Sequence, residues 1–409
     1  MDIPLRVSLP GQPWSVVAAS PSGPLYVLCG SDDVLLGDRQ LIAVDLAGKV
    51  LWRREIEGDQ NGHSYQLSYT QHLRVSETGT VWLVNAAEDS VLLIGYAPSG
   101  DTAHVIRLDH DPAEVPGAFA LVREGFCTTW TTRGPHRDIR VDIRDEAGDA
   151  RWSARVQTSP MAYEGLVGMI GGQVAPLKPE LPRTFGPSYH DPLLVSGDRI
   201  LAAFRDYSSG LEVCHLLDRR IGRLLLTTEP APGGHKAVAG PREFLVGEQG
   251  YGGFATTRYA ADGAETGRWE SHGALVVDPD GVIRSVEMEN VLPSRRRFRV
   301  FGARGSLVDG PPLPGYYTTP PALDVSGNVV FFRDRALRVI DAGLNERVLG
   351  TTDEDEQLLG RMVLLEDGLV AFTHGHELLL ARTDLGELAP GVWPCGDGNL
   401  RGNPVVESP

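Results

Sequence analysis

Lysine is nearly missing from this chain: residues 49, 178 and 236 are the only lysines among 38 basic residues, and all the others are arginine. Such a bias points to a GC-rich bacterial genome rather than to a property of the fold. Cysteine is scarce too. Cys29, Cys127, Cys214 and Cys395 show no CxxC spacing, and four cysteines in 409 residues do not make a disulfide scaffold, so they read as buried or idle thiols. There is no basic excess. A net charge of -16 leaves no broad cationic surface for nucleic acid or anionic lipid, and neither is expected as a partner. No apolar run approaches the roughly 18 residues of a membrane span, and the start, MDIPLRVSLPGQPW, lacks a basic stretch followed by an apolar one, so a cytoplasmic location is expected. The nucleophile-elbow, phosphate-loop and zinc-helix motifs GxSxG, GxxxxGK[ST] and HExxH are absent as well.

What the chain does have is turns. Its 48 glycines and 29 prolines punctuate short apolar runs, and no stretch shows a helical period. Leu41 to Trp52, LIAVDLAGKVLW, is the clearest unit: Leu41, Ala43 and Asp45 alternate with Ile42, Val44 and Leu46, Ala47-Gly48-Lys49 turns, and Val50-Leu51-Trp52 returns. Weaker echoes are Asp145 to Trp152 (DEAGDARW), Asp218 to Leu224 (DRRIGRL) and Asp341 to Val348 (DAGLNERV).

The positions Ala43, Asp45, Gly48, Lys49 and Trp52 resemble the repeat of the pyrroloquinoline-quinone-like β-propellers, in which Ala-x-Asp precedes a turn ending Gly-Lys or Gly-Glu and a strand carrying Trp. Here the Asp-to-Gly spacing is one residue shorter, and Ala47 stands where the family has Thr. The resemblance implies an all-β fold, a single β-propeller. Because the family includes dehydrogenases, scaffolds and binding modules, it implies no one activity. A repeat of roughly 40 to 50 residues fits about eight four-stranded blades into this length, with seven as the alternative. The expected blades are residues 14–55, 68–108, 117–156, 190–228, 236–270, 273–312, 320–350 and 359–392. Residues 157–188, rich in Gly and Pro, read as an inserted loop, either a lid or a filler. Residues 393–409, containing WPCGDGNLRGNP, have no strand pattern and either cap the ring or hang free.

In a four-stranded blade the turns joining strands one to two and three to four share one end of the ring. Here they are short and glycine-rich. The other connections hold the chemistry-bearing residues, and such a concave mouth is where a site is expected. Expected ligand-binding residues are His63, Tyr65, Tyr189, His190, His235, Gln249, Asn290, Tyr316, Tyr317 and Arg333. The densest stretch, from Glu248 to Tyr317, supplies the expected acid-base set: His272 with its tautomer fixed by Glu248 or Glu289, and Tyr251 to bind or protonate a substrate. No cofactor is expected, and no metal is assigned. His63, His190 and His235 could form a three-histidine site, but no spacing enforces it. His374-Gly375-His376 reads more simply as two residues at a strand end. Asp278-Pro279-Asp280-Gly281 lacks the later ligands of a calcium loop and reads as a turn. Arg295, Arg296 and Arg297 could grip an anion. The resulting expectation is a channel mouth that binds a small molecule or peptide, with metal-free acid-base catalysis of lyase, cyclase or hydrolase type. A non-catalytic protein-interaction scaffold is the first alternative and a metal-dependent enzyme the second.

Overall fold

A computed structural model describes residues 5–30, 39–56, 72–87, 90–132, 138–157, 167–170, 173–176, 185–206, 210–250, 253–271, 273–287, 297–302, 306–315, 318–352 and 360–407. Its strands form six four-stranded antiparallel sheets, one ten-stranded sheet and a small hairpin. The ten-stranded sheet holds two blades plus the strands Phe185–Pro187 and Val405–Val406, so the blades number eight. Among the described residues no helix is long and apolar enough to cross a membrane.

Each blade is sandwiched between two others, which explains why its strands are apolar on both faces. In the third strand of blade 1, Ile42 and Val44 join a core shared with blade 8, while Leu41 and Ala43 join one shared with blade 2. Period-two alternation thus sorts residues between two cores rather than between core and water. Equivalent clusters join blades 2 and 3, 3 and 4, 4 through 6, 6 and 7, and 7 and 8, which closes the ring. The outermost strands alone show the half-exposed pattern, as along Val50–Ile56.

Turn chemistry repeats with the blades. Asp45 Oδ1 accepts from the backbone N–H of Ala47 at 3.0 Å and of Lys49 at 2.8 Å, an Asx turn that Asp145 reproduces. Asp278 does the same toward Asp280 and Val282, so the DPDG stretch is a turn.

Two parts of the chain lie where the expected blade limits did not put them. The fourth strand of blade 8 is Leu5–Ser8, paired antiparallel with Glu377–Arg382, so the start of the chain completes the last blade. Residues 383–407 run instead along the inner edges of the blades. An innermost strand has one unpaired edge, whose N–H groups need acceptors. The tail supplies them in ring order. Pro394 O accepts from Leu323 N, Leu400 O from Ala18 N, Arg401 O from Val75 N, Asn403 Oδ1 from Leu121 N and Pro404 O from Val195 N, each at 2.8–3.0 Å. Trp393 O likewise takes Val277 N at 2.8 Å. Arg361 is buried and donates to the carbonyls of Gly396, Asn399 and Leu400, pinning the middle of this collar. The tail is therefore a cap.

Candidate functional site

The collar sits at the end of the ring that carries the short one-to-two turns, because it bonds the last residues of the inner strands. By strand direction, the described residues among those singled out from the sequence as site candidates belong to the opposite end. His63, Tyr65, Tyr251, His272, Glu289, Asn290, Tyr316 and Tyr317 lie outside the described residues, as do Arg295 and Arg296. Gln249 is placed only by its pairing with Phe254 near the end of the second strand of blade 5.

Of the described ones, Glu248 pairs with Arg268 at 2.9 Å across blade 5. Arg333 is fully buried and donates to the carbonyls of Pro314 at 2.6 Å, Glu287 at 2.6 Å and Gly315 at 2.8 Å. That geometry clamps blade 7 to blade 6. Arg297 forms a cross-strand pair with Asp309 at 2.9 Å. His374 is buried against Phe332, and Gly375-His376 forms the two-residue turn that follows it.

Tyr189, His190 and His235 are brought together where blades 4 and 5 meet. The strand Leu211–Asp218 of blade 4 pairs briefly with Ala231–Gly240 of blade 5, through Leu211 to Pro232 and Glu212 to Ala231. This join places the buried Glu212 under Gly233, where a Cβ would lie 1.8 Å from the Glu212 carboxyl carbon. With glycine there, the carboxylate passes through to Lys236 at 2.8 Å. The Lys236 ammonium also meets Ser188 Oγ at 3.0 Å, His190 O at 3.0 Å and Gly234 O at 2.9 Å. Burial by itself would lower the Lys236 pKa, but Glu212 outweighs it and the pKa is raised. The ammonium is therefore a fixed charge around which the loop is built. Ser188 Oγ donates to Glu212 at 2.8 Å and accepts from His190 N at 3.2 Å.

The chemistry-bearing groups hang from this frame. The His190 and His235 rings lie 4.2 Å apart between centroids. Asp191, held at φ 48°, accepts from Lys236 N at 3.1 Å and stands 3.5 Å from His235 Nδ1. A carboxylate beside Nδ1 favours the tautomer that leaves Nε2 as a base, the arrangement general acid-base work needs. Tyr189 is 60% exposed, and Arg205 lies 4.6 Å over its ring.

Farther along the channel is a second set that the sequence did not flag: His72, Arg74 and Asp397. Burial, helped by Arg74, pushes the His72 pKa down to about 4 against the pull of Asp397 and Asp191. Burial would raise the Asp397 pKa, but Arg74, Arg361 and His72 hold it below the usual carboxylate range. The imidazole is thus neutral and the carboxylate ionised near pH 7. The signal available in the sequence was Gly396-Asp397-Gly398, an acid between two glycines in an otherwise patternless tail.

With the fold and these geometries in hand, the class is a β-propeller of eight four-stranded blades. No family model and no curated protein matches the sequence. Among solved structures, a streptogramin B lyase is 12% identical with a TM-score of 0.47 over 92% of this chain and 97% of that one. A virginiamycin B lyase from Staphylococcus aureus, solved with quinupristin, is 12% identical with a TM-score of 0.46 over 92% and 98%. A periplasmic gluconolactonase from Pseudomonas aeruginosa is 14% identical with a TM-score of 0.44 over 85% and 96%. These neighbours are themselves β-propellers.

Proposed function

We propose that this propeller binds a small molecule or peptide in its central channel and performs metal-free general acid-base chemistry there, with His235 as the base oriented by Asp191 and His190 as its partner. The observation that carries the reading is the contact of His190, His235 and Asp191 on two adjoining blades, held in place by the buried Lys236 network. His272, Glu289 and Tyr251 remain proposed contributors, and Ser271 beside His272 in sequence is bonded to the buried Glu287.

The scaffold alternative calls for a broad apolar face. Among the described residues most of the large exposed apolar side chains are spread around the outer rim, as Leu51, Val105, Leu224, Val308 and Val348 on the fourth strands of five different blades, while Tyr189 lies at the proposed site. A metal-dependent reading takes His63 as the third ligand beside His190 and His235, and His63 lies outside the described residues.

The test is native against denaturing mass spectrometry of the protein isolated from its own host, with elemental analysis alongside. A bound molecule of a few hundred daltons, depleted in His235→Gln and Asp191→Asn, is expected. Co-purification of a stoichiometric protein partner, with no small ligand and no effect of either substitution, would refute the reading.

A further inference from the structure

The blade 4 and 5 site leaves the polar groups at the collared end of the channel without a role. Arg74, in the inner strand of blade 2, is 1% exposed. Its Nε donates to Phe119 O at 3.2 Å and its Nη1 to Leu73 O at 3.2 Å, while Nη2 donates to no described residue. The nearest anion is Asp397, whose Oδ1 lies 3.8 Å from Nη1, beyond hydrogen-bond range. Asp397 projects from the collar at φ 57°, and its carboxylate accepts from no described residue. His72, two residues before Arg74, has no hydrogen bond to a described residue either. Arg74 is buried, whereas His72 and Asp397 keep part of their surface exposed, so the three present donors and acceptors that a partner from outside the chain can reach.

The charges say what kind of partner. Arg74 and Arg361 are balanced by Asp397 and Asp191, and His72 is neutral. An anion brought here would lose its water beside Asp397, and a cation would lose its water beside Arg74 and Arg361. An uncharged group with an acceptor and a donor side by side meets both partners at no such cost. We propose that the collared end of the channel is a subsite for a carboxamide-type group, a primary amide, lactam or ureide, whose carbonyl accepts from Arg74 Nη2 and whose N–H donates to Asp397, with His72 as a third partner. The inference rests on the reading that the channel binds a small molecule or peptide, and it names the chemistry its inner end takes. Asp397 comes from the tail, so the collar both seals the ring and completes the site.

The experiment is ligand-observed saturation-transfer NMR on the full chain at neutral pH, titrating 2-pyrrolidinone against acetate and methylammonium. Pyrrolidinone is expected to bind at least about tenfold more tightly than either ion, and Asp397→Asn and Arg74→Gln each to weaken it about tenfold or more. If Arg74→Gln does not fold, the nearly isosteric Asp397→Asn decides alone, with its melting temperature as the check on folding. Preference for acetate or methylammonium, or pyrrolidinone binding that Asp397→Asn leaves unchanged, overturns the amide assignment while the channel reading stands. Absence of binding by all three probes removes the subsite. The channel reading is then judged on bound-ligand mass spectrometry with His235→Gln, which alters none of these residues.

Discussion

The indole N–H of Trp52, on the outer strand of blade 1, donates to Pro98 O of blade 2 at 2.8 Å, and a Cβ at Gly100 would lie 2.7 Å from the indole ring. Trp152 repeats the contact two interfaces on, between blades 3 and 4, donating to Arg219 O at 2.8 Å with its ring 2.6 Å from the Cβ position of Gly222. Both glycines have positive φ, 87° and 68°, so each is required twice, by the turn and by the ring lying on it.

This docking gives a first prediction. Gly100→Ala should destabilise the protein by about 1–3 kcal/mol through overpacking, and Trp52→Ala by about 2 kcal/mol, since that ring is half-buried. The double variant should fall well short of the sum, because both remove one contact. Urea midpoints at constant slope check this. Full additivity would mean that the ring and the glycine are not coupled.

The fold was legible wherever a blade obeyed local rules. Leu41 to Trp52 announced its hairpin because Asp45 and Gly48 specify the turn regardless of context. Ring closure was not legible, since the pairing of Leu5 with Leu380 spans nearly the whole chain and leaves no local pattern. The tail was opaque for the same reason: its carbonyls bond to strands of six blades, so it has no period of its own. At the candidate site, His190 and His235 were singled out by residue type, but Arg333 was not distinguished from a ligand-binding arginine. Its three carbonyl acceptors come from backbone that sequence cannot place. Asp397 was missed because a single acid in a turn-rich tail looks like any solvated residue.

Lys236 and Glu212 form a buried pair, and breaking one partner leaves an uncompensated charge. Lys236→Met should cost about 3–5 kcal/mol, and adding Glu212→Leu should recover part of that loss. The raised Lys236 pKa gives the sign at high pH. The folded state holds its proton more tightly than the unfolded state, whose value is near 10.5, so the contribution is complete below that pH and lost as pH rises through the folded value. Denaturation midpoints from about pH 10.5 upward should fall in the native protein, and fall less in the double variant.

Acid should act through histidines that are held neutral. His215 is 1% exposed beside Phe204, and burial pushes its pKa down to about 4 from 6.5, as happens at His72. Below pH 6.5 the unfolded chain takes up protons that the folded chain refuses, so stability is complete above 6.5 and declines toward pH 4. A shift of this size corresponds to at most about 3 kcal/mol for the fully buried His215. His215→Phe should flatten the stability profile between pH 6.5 and 4. An unchanged slope would show that folding leaves the proton affinity of His215 unaltered.

The tail offers the most direct test of how the ring is held. A chain ending at Val392 loses Trp393, which is 1% exposed, and leaves the inner-strand N–H groups of Ala18, Val75, Leu121, Val195, Val277 and Leu323 without their acceptors. At roughly 1 kcal/mol for each hydrogen bond and about 3–5 kcal/mol for the buried indole, the loss is comparable to the whole stability of a typical domain. The truncated protein should be insoluble or lack a cooperative melt. Asn403→Asp is the gentler version. The amide donates to Leu121 O at 2.8 Å while its oxygen accepts from Leu121 N at 2.9 Å, and aspartate keeps only the second bond. That substitution should cost about 1–3 kcal/mol and leave the blades folded, read as a lower melting temperature with an unchanged far-ultraviolet circular dichroism spectrum. A truncation that melts like the full chain would show that the blades close the ring on their own and that the tail only decorates it.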